Sequence, residues 1–162
     1  MSFTWGLAEK GEQTERLAFL VADRIWPGRG YDFGACRAIA IVDGNHLAAG
    51  IIYHNYDDEA GVLELSAAAF KPGWLTRTTL KAMFDYPFIS CGCQAVVHRI
   101  PDEDHVQHRM LSSYGHIRYR IPRLRGVNKA ENIYVLTRET WAGNAFNKRY
   151  THGKEGTKVA RS

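Results

Sequence analysis

Between residues 12 and 26 the apolar positions Leu17, Leu20, Val21 and Ile25 recur at i, i+3, i+4 and i+8. That spacing predicts an amphipathic helix, and Pro27-Gly28 stops it. The glycine-rich stretch PGRGYDFGA (27–35) reads as a loop. Two apolar runs, Ala38–Val42 and Leu47–Tyr53, flank Asp43-Gly44 and predict a β-hairpin. A second turn at Asp57–Gly61 leads into a third strand, Val62–Phe70. Alternation on that strand puts Glu64 and Ser66 on the face opposite Leu63 and Leu65.

Lys71-Pro72-Gly73 breaks the strand, and Leu80, Met83, Phe84 and Phe88 resume helical spacing over 76–88. Thr76 is the expected N-cap. Gln94–Ile100 predicts a further strand. Asp102 or Asp104 then caps a helix carrying Val106, Met110, Leu111 and Tyr114, which Gly115 ends. His116–Ile121 and Asn132–Thr137 form the last strand pair. The succession predicts an α/β (α+β) architecture: a mixed, mostly antiparallel twisted sheet with helices packed on it. The crossover from the third strand through the 76–88 helix to 94–100 should be right-handed and locally parallel.

A length of 162 residues is that of one domain. The reading is a single domain over 1–141 followed by a basic tail over 142–162. The chain's net charge of +4 sits in that tail, where Lys148, Arg149, Lys154, Lys158 and Arg161 face only Glu155. The body is balanced, so the basic pI describes a solubilising end or an arm for acidic partners. Wholesale disorder is excluded by the aromatic and branched aliphatic content. No apolar run is long enough to span a membrane, and none resembles an export signal. Cys36, Cys91 and Cys93 are an odd number of thiols, expected reduced in a cytoplasmic protein. Cys91-Gly92-Cys93 lacks the spacing of a common zinc pair, and His105 and His108 find no third ligand, so no metal is expected. Arg118, Arg120, Arg123, Arg125 and Lys129 occur without an intervening acid. They make a solvated strand face or a rim for an anionic substrate.

The start of the 76–88 helix presents backbone N–H groups and the positive end of the helix dipole, a natural anion site. Thr76, Arg77, Thr78 and Thr79 add hydroxyls and a guanidinium there.

The segments FGACRAIAIVDG (33–44), LAAGIIYHNY (47–56), GVLELSAAAF (61–70), WLTRTTLKAMFDYPF (74–88), GCQAVV (92–97), RIPRLRG (120–126) and IYVLTRETW (133–141) together resemble the GNAT superfamily of acetyl-CoA-dependent N-acetyltransferases. More narrowly they look like a branch common in bacterial and prophage sequences. The resemblance implies a sheet splayed between its fourth and fifth strands, with helices on both faces and acetyl-CoA in the gap. It also implies acetyl transfer to an amine. Carried over, it places the pantetheine arm on the strand backbone of Ala67, Ala68, Ala69 and Phe70. The pyrophosphate goes to Trp74, Thr76, Arg77, Thr78 and Thr79, and a further CoA contact to Asp104. Threonines and an arginine stand where the family has a glycine-rich turn. Leu111 stands where many members have a tyrosine that protonates the thiolate, leaving Ser112, Ser113 or Tyr114 for that role, with Tyr114 carried forward.

Direct attack in a ternary complex requires a neutral amine, hence a proton acceptor. Glu64 is the first candidate, since a carboxylate partly withdrawn from water becomes a stronger base. His98 on the neighbouring strand is the rival. Tyr53, His54, Asn55 and Tyr56 end the hairpin strand near the implied acceptor pocket, and Arg120 lies on the basic strand face. Two other readings stay open: a non-catalytic phage-derived module on this fold, and an acyltransferase directed at nucleic acid.

Overall fold

The computed structural model describes residues 2–147; the basic stretch from Lys148 onward lies outside the described residues. In chain order the elements are β1 (Phe3–Leu7), α1 (Glu12–Ile25), β2 (Cys36–Asp43), β3 (His46–Asp57), β4 (Val62–Ala69) and α2 (Arg77–Asp85), which runs into a π-helical turn (Tyr86–Ser90). They continue with β5 (Ala95–Pro101), α3 (His105–Tyr114), β6 (Ile117–Gly126), β7 (Lys129–Thr137) and α4 (Arg138–Gly143). The strand order is β1-β2-β3-β4-β5-β7-β6. The sheet is mostly antiparallel, β4 and β5 being its parallel pair, as the sequence pattern predicts. The chain divides into two compact units after Val96.

In the first unit β1 to β4 form an antiparallel meander. Even-numbered positions of β2, β3 and β4 face α1: Ala38, Ile52 and Ala68 pack with Leu17, Val21 and Ala22 in one core. The opposite face takes Tyr53, whose hydroxyl donates to the Met83 carbonyl of α2 at 2.6 Å. Helix α1 lies tight against β3 because Gly50 has no side chain. A Cβ built there would stand 2.5 Å from Val21 Cγ2 and 3.0 Å from Leu17 Cδ1. Of the predicted α1 stripe, Leu17 and Val21 are buried while Leu20 is exposed.

In the second unit Ile100, Leu111 and Tyr134 form the core between α3 and the strands. Buried Glu131 is held by Arg99 at 3.0 Å and Arg125 at 2.8 Å. Asp104 N-caps α3 by accepting from Gln107 N–H, and Gly115 ends the helix in the left-handed region at φ 115°. The Gly115 stop was legible in the sequence, and Asp104 is the one of the two cap candidates, Asp102 and Asp104, that takes the role.

Strand β1 was not. Its residues are mostly exposed, so the segment carries no alternation to read. Strand β6 runs past the predicted Ile121 to Gly126, through Pro122 and through Arg123 at φ 70°. Proline and positive φ both mark irregular edge pairing, which is why the segment read as loop.

Candidate functional site

Three strands bring Cys36, His54 and Glu64 into one row. Cys36 pairs with His54 across β2–β3, and His54 with Glu64 across β3–β4. All three side chains lie on the α1 face. His54 is fully buried, and its Nε2 stands 3.3 Å from Glu64 Oε2 and 2.9 Å from Ser66 Oγ. Both contacts fall on the same ring nitrogen. A relay from serine to carboxylate needs opposite nitrogens, so this is not a Ser–His–acid triad. What the arrangement does is fix the Glu64 carboxylate, whose side chain keeps 17% exposure.

Just beyond His54 the β3–β4 register shifts. Asn55 sits in the bulge at φ 49°, a left-handed conformation that asparagine tolerates. There its Nδ2 lies 3.4 Å from Glu64 Oε1. The sequence pointed to His54 and Asn55 as the end of the hairpin strand, and the structure puts both on Glu64.

The aromatic side of this row was not foreseen. Phe33, buried in the 27–35 loop, packs against His54 with ring centroids 4.7 Å apart and the rings tilted. Tyr31 packs edge-on to Phe33 at 5.3 Å, and Trp26 lies 4.3 Å from Tyr31. The only sequence signal was the presence of two aromatics within a glycine-rich loop, where periodicity says nothing. The Cys36 thiol is pushed up, first by burial and then by the negative fields of Asp32 and Glu15. It therefore stays a thiol and is a poor nucleophile.

At the other end of β4, Ala68 and Phe70 turn their backbone groups toward β3, as the bond from Phe70 N–H to Ala48 O at 2.8 Å sets the alternation. Ala67 and Ala69 thus present theirs to the opposite edge. Arg24 Nε of α1 donates to Ala69 O at 3.2 Å. Helix α2 starts with a reciprocal box: Thr76 Oγ1 accepts from Thr79 N–H, and Thr79 Oγ1 from Thr76 N–H. Thr79 Oγ1 also donates to Trp74 O at 2.7 Å. Thr76 and Thr79 are committed to the cap and Thr79 is buried, so the donors left to an anion are the N–H groups of Arg77 and Thr78 and their exposed side chains. No acid stands in that first turn. These donors suit a pyrophosphate, with a narrower set than the positions read from the sequence.

The remaining predicted residues have other partners. Tyr53 faces α2, on the side of β3 away from His54. Arg120 forms a two-pronged bond with Asp102, at 2.7 and 3.1 Å. Together with the Asn132 amide, that bond holds the Asp102 carboxyl well below the usual carboxylate range. Asp104 caps α3 and also accepts from Gln107 Nε2 at 2.8 Å. Tyr114 is buried, with its ring 5.6 Å from Phe146 and 6.0 Å from His116. His98 and His116 are buried ring to ring at 4.8 Å. Burial, and then the charge of His116, pushes His98 well below its usual value, which makes it a weak base. Burial brings His116 down to about 4 against the opposing pull of the Leu111 carbonyl.

These two imidazoles predict acid sensitivity. The unfolded chain takes up protons from about pH 6.5 downward, whereas the native state holds His116 neutral until about pH 4. Stability present above pH 6.5 is therefore lost as pH falls, by about 3 kcal/mol at pH 4 from His116 alone. His98 adds in the same direction. Asp102 acts only at lower pH. Urea midpoints at pH 7, 5.5 and 4 check this: they should fall steadily, and His116→Gln should flatten the fall.

A groove of about 460 Å³ between β1, β2 and α1, lined by Trp5, Leu7, Leu17 and Leu20, contains none of the predicted site residues. Among the described residues no group of three or more His, Cys, Asp or Glu side chains is placed to hold a metal ion, and no helix is long and apolar enough to cross a membrane.

The strand order, the parallel β4–β5 pair and the flanking helices are those of the GNAT fold, shared with solved acetyltransferases. A single-substitution variant of spermidine N-acetyltransferase SpeG from Vibrio cholerae superposes with TM-score 0.69 over 87% of this chain and 96% of that one, at 13% identity. A candidate acetyltransferase from T. thermophilus gives TM-score 0.58 at 22% identity, over 72% of this chain and 65% of that one, so the match spans under two thirds of the longer protein. No family model matches the chain, and no curated protein matches it. At these identities the likeness establishes the fold.

Proposed function

We propose that this chain is an N-acetyltransferase that transfers the acetyl group of acetyl-CoA directly to an amine. The observation that carries the reading is the Glu64 carboxylate, fixed by His54 and Asn55 on the strand whose far end leads into an anion-suited helix start. The solved structures of similar fold named above, acetyltransferases by name, support it.

Acetyl-CoA supplies an activated acyl carbon and a thiolate leaving group. The chain's residues do the rest. Ala67 and Ala69 offer strand backbone groups to the pantetheine amides. Arg77 and Thr78, with their N–H groups, hold the pyrophosphate, which favours the positive end of α2. Glu64 takes the proton that the acceptor ammonium must lose before its nitrogen can attack. As the new N–C bond forms the C–S bond breaks; the nitrogen gives up its second proton and the leaving sulfur takes one, so that amide and free CoA thiol are released. No covalent enzyme intermediate is needed, consistent with a Cys36 thiol held protonated.

The phosphate assignment has a specific test. Arg77→Ala should weaken acetyl-CoA binding roughly 5- to 10-fold in calorimetry, as expected for one charge-assisted contact. Pantetheine, which has no phosphates, should bind the variant and the parent alike. Equal losses for both ligands would place the pyrophosphate elsewhere.

A further inference from the structure

The two ends of the sheet are finished differently. Strand β6, at one end of the strand order, carries Arg118, Arg120, Pro122, Arg123 and Arg125, with Arg123 at φ 70°. Charges, proline and irregular backbone are the features that keep an edge strand from pairing with another chain. Strand β1, at the other end, has none of them. Phe3-Thr4-Trp5-Gly6-Leu7 is uncharged, lacks proline and keeps an unbroken register with β2.

The direction of each backbone group on this edge follows from one bond. Ala8 N–H donates to Ala38 O at 2.8 Å, in continuation of the pair Leu7↔Ile39. Antiparallel strands alternate, so the even-numbered residues of β1 direct their N–H and C=O groups to β2. Those of Phe3, Trp5 and Leu7 point away from β2, and among the described residues no further strand takes them. The side chains of Trp5 and Leu7 lie on the α2 face with their cross-strand partners Ile41 and Ile39, yet stay 47% and 42% exposed. Thr4 and Gly6 lie on the α1 face, where a Cβ built on Gly6 would meet nothing within 4 Å.

A second copy of β1 fits this edge. Laid antiparallel about a two-fold axis at Trp5, the outward groups of Trp5 meet those of Trp5 in the other copy, and those of Phe3 meet those of Leu7. Every outward donor then finds an acceptor. Apolar side chains oppose apolar ones, Trp5 on Trp5 and Phe3 on Leu7, and Thr4 falls opposite Gly6, where there is room. Along the paired strands no charge is set against a like charge. We infer that β1 is an interface between copies of this chain: two copies join edge to edge through Phe3–Leu7 about a two-fold axis at Trp5, and one sheet runs through both. A pair of five-residue strands buries less than the roughly 1,200 Å² of a standard interface, so the dimer is weak and concentration-dependent. The inference is independent of the acetyltransferase reading.

Sedimentation velocity of the full chain from about 5 to about 300 µM, the range of a weak association, is the test. The parent should pass from monomer to dimer within it. Trp5→Glu sets two carboxylates against each other at the axis and should weaken the dimer at least 10-fold. Cysteine cross-linking reads the register. Directly opposed residues of a hydrogen-bonded antiparallel pair have Cα atoms about 5.5 Å apart, within reach of a disulfide. Under mild oxidation Trp5→Cys should therefore link two chains. Leu7→Cys is about as exposed, but it would stand more than about 13 Å from its own copy and should link no more than the parent with its native cysteines. Both positions are half exposed, so the variants should keep the parent's far-UV spectrum. A parent that stays monomeric across the range, a dimer that Trp5→Glu leaves intact, or Leu7→Cys linking as readily as Trp5→Cys overturns the inference.

Discussion

Glu64→Gln should lower acetyl-transfer turnover by about 100-fold or more while leaving acetyl-CoA affinity within about twofold of the parent. The substitution keeps the shape of the side chain and an oxygen that can accept from Asn55 Nδ2, and removes the negative charge beside His54 together with the ability to take up a proton. A loss of 100-fold is about 2.7 kcal/mol of transition-state stabilisation, within the range of general-base catalysis. The split between turnover and cofactor affinity is what separates a base from a structural carboxylate. A structural role would lower stability and affect both parameters together. Steady-state kinetics with calorimetric acetyl-CoA binding on the same preparations checks it, and full activity in the variant would remove Glu64 from the chemistry.

The second large effect concerns the scaffold. Gly50→Val should destabilise the protein by about 3 kcal/mol, roughly a 10 °C drop in melting temperature. Even a bare Cβ at residue 50 stands 2.5 Å from Val21 Cγ2, and Val21 is fully buried, so the side chain has nowhere to retreat. Helix α1 must lift from β3. The loop after α1 carries Trp26, Tyr31 and Phe33, so the lift also disturbs the aromatic wall beside His54. Chemical denaturation gives the size of the loss. A Gly50→Ala variant should lose less, because it adds only the first of the offending atoms.

The sequence made legible those parts of the fold that announce themselves locally. The α1 face, the Asp43-Gly44 hairpin, the Thr76 and Asp104 caps and the Gly115 stop each depend on residues a few positions apart, and the structure contains them. Strand β1 was not legible, because an edge strand with little burial has no alternation. Within the candidate site, Glu64 stood out as a carboxylate inside an apolar strand, and its face followed from alternation. What it faces did not follow. The Cys36–His54–Glu64 row depends on the register of three strands, and the placement of Phe33 on His54 on the path of a glycine-rich loop, neither of which local spacing encodes. Tyr53 and His54 are adjacent in sequence yet face opposite sides of β3, one committed to α2 and the other to Glu64. Arg120 read as a rim cation because its partner Asp102 lies 18 positions away.

The reading as a whole turns on whether the thioester is cleaved in favour of an amine. The direct measurement is thiol released from acetyl-CoA by the purified chain, with and without each member of a panel of primary amines, with the acetylated product confirmed by mass spectrometry. Amine-dependent thiol release in step with the N-acetylated product, strongly reduced in Glu64→Gln, is the predicted result. Thiol release no faster than the buffer blank across the whole panel, from a protein that also shows no heat with acetyl-CoA at high micromolar concentration, would contradict it.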